Sequence, residues 1–86
     1  MEDAIKRYFQ NEKLHVWPSK RAVRAKVINH FGSLFEIGRI YSEKEINNIL
    51  LDNHSFNDPV FLRRELIDMG ILSRTEDGRQ YWKNSV

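Results

Sequence analysis

The chain has 86 residues, 41% of them hydrophobic, 30% charged and 12% aromatic, which suits one small folded domain rather than a disordered tail. It has no cysteine, no apolar run near the ~20 residues of a membrane span and no apolar signal core at its N-terminus; this excludes a disulfide frame, a zinc knuckle and a thiol nucleophile, and points to the cytoplasm with no membrane partner. The net charge of +2 is uneven: residues 1–26 hold seven Lys/Arg against three acids, and the rest holds seven against nine. The basic first third suits either a polyanion or a solvated helix face with no partner.

Glu2 to Asn11 is predicted as a short helix, because Ile5, Tyr8 and Phe9 fall at i, i+3 and i+4. Lys13 to Trp17 alternates and predicts a short strand, with Leu14 and Val16 on one side. Ser19 is a suitable N-cap for a longer helix from Lys20 to about Phe31 or Leu34, with Val23, Val27, Phe31 and Leu34 or Phe35 as its core stripe and Ile28 beside it. Gly32 weakens that helix's last turn.

After Gly38, Arg39 to Tyr41 is expected as a short strand. Ser42 and Glu45 have the spacing of a capping box, starting a helix that runs to about Leu51 with Ile46, Ile49 and Leu50 inward. Asp52 to Asn57 lacks periodicity and is a loop, with Phe56 expected as a core plug. Asp58 and Pro59 fit an N-cap and first helical position; Leu62, Leu66 and Met69 form the apolar face, and Gly70 ends the helix. Ile71 to Thr75 and Arg79 to Lys83 flank Glu76-Asp77-Gly78, a hairpin signal, and one of Tyr81 and Trp82 must face inward.

The resulting order is helix, short strand, capped helix, loop, capped helix, hairpin. It predicts an α+β fold: a small winged-helix-like domain over residues 18–86, with three to four helices, a short antiparallel sheet and a C-terminal hairpin. Residues 1–17 add an N-terminal helix and short strand to what is one compact unit.

The run Tyr41-Ser42-Glu43-Lys44-Glu45-Ile46-Asn47 with Ile49-Leu50, then His54-Ser55-Phe56, Asp58, Leu62-Arg63-Arg64-Glu65-Leu66, Gly70, Leu72, Arg74, Gly78 and Tyr81-Trp82, resembles a bacterial family of uncharacterised domains, domain of unknown function 2087. The resemblance spans about residues 18–84. It implies a small helical-plus-hairpin domain, found alone or attached to helix-turn-helix transcriptional regulators, and it brings no catalytic residues.

Arg63 and Arg64 stand on the third helix of the winged-helix reading, where groove-reading side chains are expected. Arg74 and Arg79 flank the hairpin turn. Together with Lys20, Arg21 and Arg24 at the start of the long helix, these are the candidate nucleic-acid-binding residues, and duplex DNA is the expected partner. Against this, Asp58, Glu65 and Asp68 outweigh the two arginines on that helix, and Glu76 and Asp77 offset Arg74 and Arg79; a duplex repels such acids. The arginines therefore have two other readings: pairing with neighbouring carboxylates or stacking on Tyr81 or Trp82, and contact with a protein partner or a second copy. Phe61 and Trp82 are candidate exposed aromatics for that last role. The six-residue loop before Asp58 exceeds the three or four of a strict helix-turn-helix.

No catalytic site, metal or cofactor is expected. His15, His30 and His54 lack metal-ligand spacing, and a hydrogen bond between His54 and Asp58 is the simpler role for the last. The serines form no nucleophile motif, the four glycines no phosphate loop, and Glu43 and Glu45 lie too close along one helix to face each other across a substrate. A non-catalytic binding module follows.

Overall fold

The computed structural model describes residues 2–85. Within them lie α1 (Asp3–Lys6), β1 (Phe9–Gln10), β2 (Lys13–Leu14), α2 (Arg21–Gly32), α3 (Glu43–Leu51), α4 (Pro59–Asp68), β3 (Leu72–Arg74) and β4 (Tyr81–Lys83). The fold is α+β. β1 pairs with β2 and β3 with β4, both antiparallel. α3 packs on α4, α2 on α4, α1 on α2, and α4 on β3.

Local backbone chemistry sets the ends of α3 and α4 as the sequence foretells. The Ser42 hydroxyl accepts from the Glu45 N–H at 3.1 Å, and the Glu45 carboxylate accepts from the Ser42 N–H at 2.9 Å. Asp58 accepts from the Phe61 N–H at 3.2 Å, with Pro59 at the first helical position. At the far end of α4, Gly70 has φ +75°. The Ile71 N–H reaches back to the Leu66 carbonyl, and the Gly70 N–H to that of Ile67. This is the paired bonding of a Schellman motif, which needs a left-handed residue at the Gly70 position.

One core serves every element. Ile5, Leu14, Val27, Ile28, Phe31, Phe35, Tyr41, Ile46, Leu50, Leu62, Leu66, Leu72 and Tyr81 are buried, with Val23, Leu34, Ile49 and Phe56 packed against them. Of the two aromatic residues on β4, Tyr81 is the buried one and Trp82 is half-buried.

Several expectations are corrected. The helix predicted over Glu2 to Asn11 stops at Lys6, and its second half is a hairpin. Asn11 (φ 53°) and Glu12 (φ 66°) both take the left-handed conformation, as a two-residue type I′ turn demands. Phe9 is therefore a strand residue, facing Leu14 across the pair. The strand over Lys13 to Trp17 ends at Leu14, and Val16 is 46% exposed. Leu14 turns instead to the loop after α3: its N–H donates to the Asn53 carbonyl at 3.0 Å and its carbonyl accepts from the Ser55 N–H at 2.9 Å.

Ser19 does not cap α2. Lys20 is the extended residue before the helix, and no side chain caps it. The strand over Arg39 to Tyr41 shrinks to one residue, with Tyr41 and Tyr81 exchanging backbone bonds of 2.8 Å each way. Ile40 points to solvent, as does Met69, which falls at the α4 C-cap past the buried face. The hairpin loop is one residue longer than predicted. The Thr75 N–H bonds to the Gln80 carbonyl, which leaves Glu76 to Arg79 in the turn.

Candidate functional site

Residues far apart in sequence meet in an open cleft of about 470 Å³ between α4 and the β3–β4 hairpin. Its walls are Arg63, Arg64, Ile67 and Asp68 from α4, Arg74, Asp77, Gly78 and Tyr81 from the hairpin, and Glu43 from the first turn of α3. The size lies within the range of small-ligand sites. The geometry follows from local structure: α4 is aimed by its Asp58 cap, and the Gly70 turn folds the chain back so that β3 packs on the helix it has just left.

The three cleft arginines differ. Arg63 is mostly covered, its side chain 14% exposed. Its Nη1 donates to the Glu43 carboxylate at 3.0 Å and to the Asn47 Oδ1 at 2.7 Å, and its guanidinium carbon lies 5.8 Å from the Tyr81 ring centroid. It cross-links α3 to α4, with an aromatic face at the outer reach of a cation–π contact. Arg64, one residue on, is exposed and forms no ion pair among the described residues. Arg74 is exposed, and its Nη1 donates to the Thr75 and Glu76 carbonyls at 3.1 and 3.2 Å, bracing the turn.

The acids are partly committed as well. Glu43 holds Arg63. Asp77 accepts from the Thr75 hydroxyl at 2.6 Å and from the Arg79 N–H at 3.0 Å. Those two bonds, the hydroxyl's first, hold its carboxyl below the usual aspartate value. Asp68 is the one cleft carboxylate that takes part in no ion pair among the described residues.

The other candidate cations lie outside the cleft walls. Arg79 projects from the turn with its side chain 86% exposed, its Nε 3.8 Å from Asp77. Lys20, Arg21 and Arg24 are exposed at the start of α2, and the Arg24 Nε donates to the Pro18 carbonyl at 2.7 Å. Phe61 is not a free aromatic, because it packs edge-on against Trp17 with centroids 5.0 Å apart.

His54 is structural, and its partner is the Asp58 backbone rather than the carboxylate. Its buried ring joins Nδ1 to the Leu50 carbonyl at 2.5 Å, while Nε2 accepts from the Asp58 N–H at 2.8 Å. Nδ1 must be the donor, since Nε2 needs its lone pair for an amide proton. This ring ties the end of α3 to the cap of α4, and Phe56 packs on it. Among the described residues, no three His, Asp or Glu side chains gather as a metal site, and no helix is long and apolar enough to cross a membrane.

Sequence reasoning missed the Tyr81 hydroxyl as a cleft group and Asn47 as the partner of Arg63. Only the inward face of β4 hinted at the first, and a contact between two helices left no signal for the second. No curated protein matches the chain, nor does any solved structure. A family profile does, over residues 13–83, which takes in both hairpins' docking strands, α2 to α4 and the whole cleft. The chain belongs to that family, described as "Uncharacterized protein conserved in bacteria (DUF2087)".

Proposed function

We propose that the protein is a non-catalytic cytoplasmic module that binds nucleic acid in transcriptional regulation, through α4 and the β3–β4 hairpin acting as the recognition helix and wing of a winged-helix-like unit. The observation that carries this reading is the convergence of Arg63, Arg64 and Arg74 on one open cleft. The supporting feature of the scaffold is Tyr41, whose single bridge to Tyr81 stands where a winged helix has the third strand of its sheet. Arg64 is the leading cation for phosphate contact, since it forms no ion pair among the described residues; Arg79 and the Lys20, Arg21 and Arg24 group are further candidate contacts outside the cleft.

The test is fluorescence anisotropy with mixed-sequence duplex DNA across a salt series. Wild type binds at low salt and weakens steeply as salt rises. Arg64→Ala weakens binding on all sequences and lowers the salt slope by about one. A folded wild-type protein that gives no anisotropy change at low salt overturns the reading.

A second reading, docking of a protein partner or a second copy, is favoured by one observation. The cleft sets Glu43, Asp68 and Asp77 against its three arginines, and Val60 on α4 and Met69 at its C-cap are 44% and 48% exposed. Concentration-dependent sedimentation in place of DNA binding supports it.

A further inference from the structure

Tyr41 and Tyr81 face each other across one backbone bridge, and both are buried, at 1% and 3% exposure. Their hydroxyls differ. That of Tyr41 accepts from the Glu36 N–H at 2.8 Å. That of Tyr81 bonds to no group among the described residues, yet no buried side-chain polar atom there lacks a partner. It must therefore reach the cleft surface. A buried phenol whose oxygen reaches a polar cleft, with no protein partner among the described residues, has a donor and an acceptor that a ligand can take over from water.

Its surroundings say what that is. A Cβ placed on Gly78 would lie 3.6 Å from the Arg74 Nη1 and 3.8 Å from the Tyr81 hydroxyl, so guanidinium and phenol approach the same point beside the turn. Both protein bonds of Arg63 use Nη1, which leaves its Nε and Nη2 without a bonded partner among the described residues. Arg64 lies alongside with no carboxylate of its own. All three cleft carboxylates keep their charge, but Glu43 is turned to Arg63 and Asp77 to the hairpin turn, which leaves Asp68 as the one without an ion pair among the described residues. A forked set of guanidinium donors with a hydroxyl matches the oxygens of a phosphate group.

We propose that this cleft is a binding site for a single phosphate group, held by Arg63, Arg64, Arg74 and the Tyr81 hydroxyl. The group comes either from a small phosphomonoester or from a nucleic-acid backbone. The site does not rest on the nucleic-acid reading, because the first source needs no duplex.

The test is an amide chemical-shift titration of the full chain with phenyl phosphate, then with inorganic phosphate, then with phenyl phosphate competing against duplex DNA. Saturable shifts at Arg74, Gly78 and Tyr81 are expected. Tyr81→Phe keeps the buried ring and removes the one oxygen, and is expected to weaken binding about tenfold, as for a lost bond to a charged group. Arg64→Ala, on the exposed face, is expected to weaken it similarly and serves if the Tyr81 variant does not fold. Competition by the duplex assigns the phosphate to a nucleic-acid backbone. Binding of phenyl phosphate untouched by the duplex assigns it to a phosphomonoester, and the nucleic-acid reading then falls while the site stands. Absence of saturable cleft shifts, or equal phosphate affinity in wild type and Tyr81→Phe, overturns the site.

Discussion

The molecule contains two hairpins built by opposite means. In β1–β2 the strands are two residues each, and the turn is Asn11-Glu12 with both residues at positive φ. Neither is glycine, so the turn itself contributes little and Glu12 sits in a conformation that L-residues avoid. In β3–β4 the positive φ falls on Gly78, and the loop is wired by Thr75, Asp77 and Arg74 to its own backbone. The first hairpin exists because Leu14 is buried and bonded to the loop after α3; the second carries much of its own order. A turn that is weak in isolation is held by tertiary contact, and a turn that must shape a cleft is held locally.

The largest effect separating the two is expected from their anchors. Leu14→Ala and Leu72→Ala each remove a fully buried side chain, at about 2–5 kcal/mol. If the contrast is right, they fail differently. Leu14→Ala loses amide-exchange protection in residues 9–15 and 53–55 ahead of the rest, while Leu72→Ala lowers the global unfolding midpoint and shows no such local opening. Denaturant melts with residue-resolved hydrogen exchange check this. Equal, wholly global unfolding in both variants removes the distinction.

The same contrast explains what the sequence disclosed. The Ser42–Glu45 box, the Asp58-Pro59 start, the Gly70 stop and the Gly78 turn are each settled within a few residues, because a helix end or a turn leaves backbone groups that a neighbouring side chain or glycine must satisfy. Phe9 misled because its spacing from Ile5 mimics a helix face, and nothing in Asn11-Glu12 announces a turn as Asn-Gly does. Val16 and Leu14 share strand parity, but only Leu14 finds a partner, some 41 residues away at Ser55. The candidate site follows the same rule. Arg63, Arg64 and Arg74 are identifiable as cations; that the Arg63 Nη1 is tied to Asn47 and Glu43, and that the Tyr81 hydroxyl lies near Arg74, depends on how α3, α4 and the hairpin pack.

Backbone substitutions at the two turns test the difference more finely. Gly78→Ala places a side chain at φ +70° and is expected to cost about 1 kcal/mol. Glu12→Gly relieves the equivalent strain and creates an Asn-Gly turn; it is expected to stabilise by a few tenths of a kcal/mol, the gain reduced by the freer unfolded chain. Thermal unfolding of both variants against wild type gives the comparison. A loss at Glu12→Gly shows that the first turn does more than the strain argument allows.

The smallest effect is a pH dependence peculiar to the second hairpin. The Asp77 carboxyl lies below its ordinary value because its ionised form accepts from the Thr75 hydroxyl and then from the Arg79 N–H. A carboxyl whose pKa falls on folding binds fewer protons in the folded state. Its contribution is therefore complete above the unfolded value of about 3.9 and is lost as pH falls through the lower folded value. The Arg79 amide signal should move across that acid range, whereas no backbone N–H of the β1–β2 turn donates to a carboxylate among the described residues. Asp77→Asn keeps an oxygen acceptor for both donors but cannot titrate, so it should flatten the Arg79 response and leave the turn in place. An Arg79 amide indifferent to pH in wild type means the carboxylate does not order the loop, and the wall of the cleft then rests on Gly78, the Arg74 bracing and the bonds between Thr75 and Gln80.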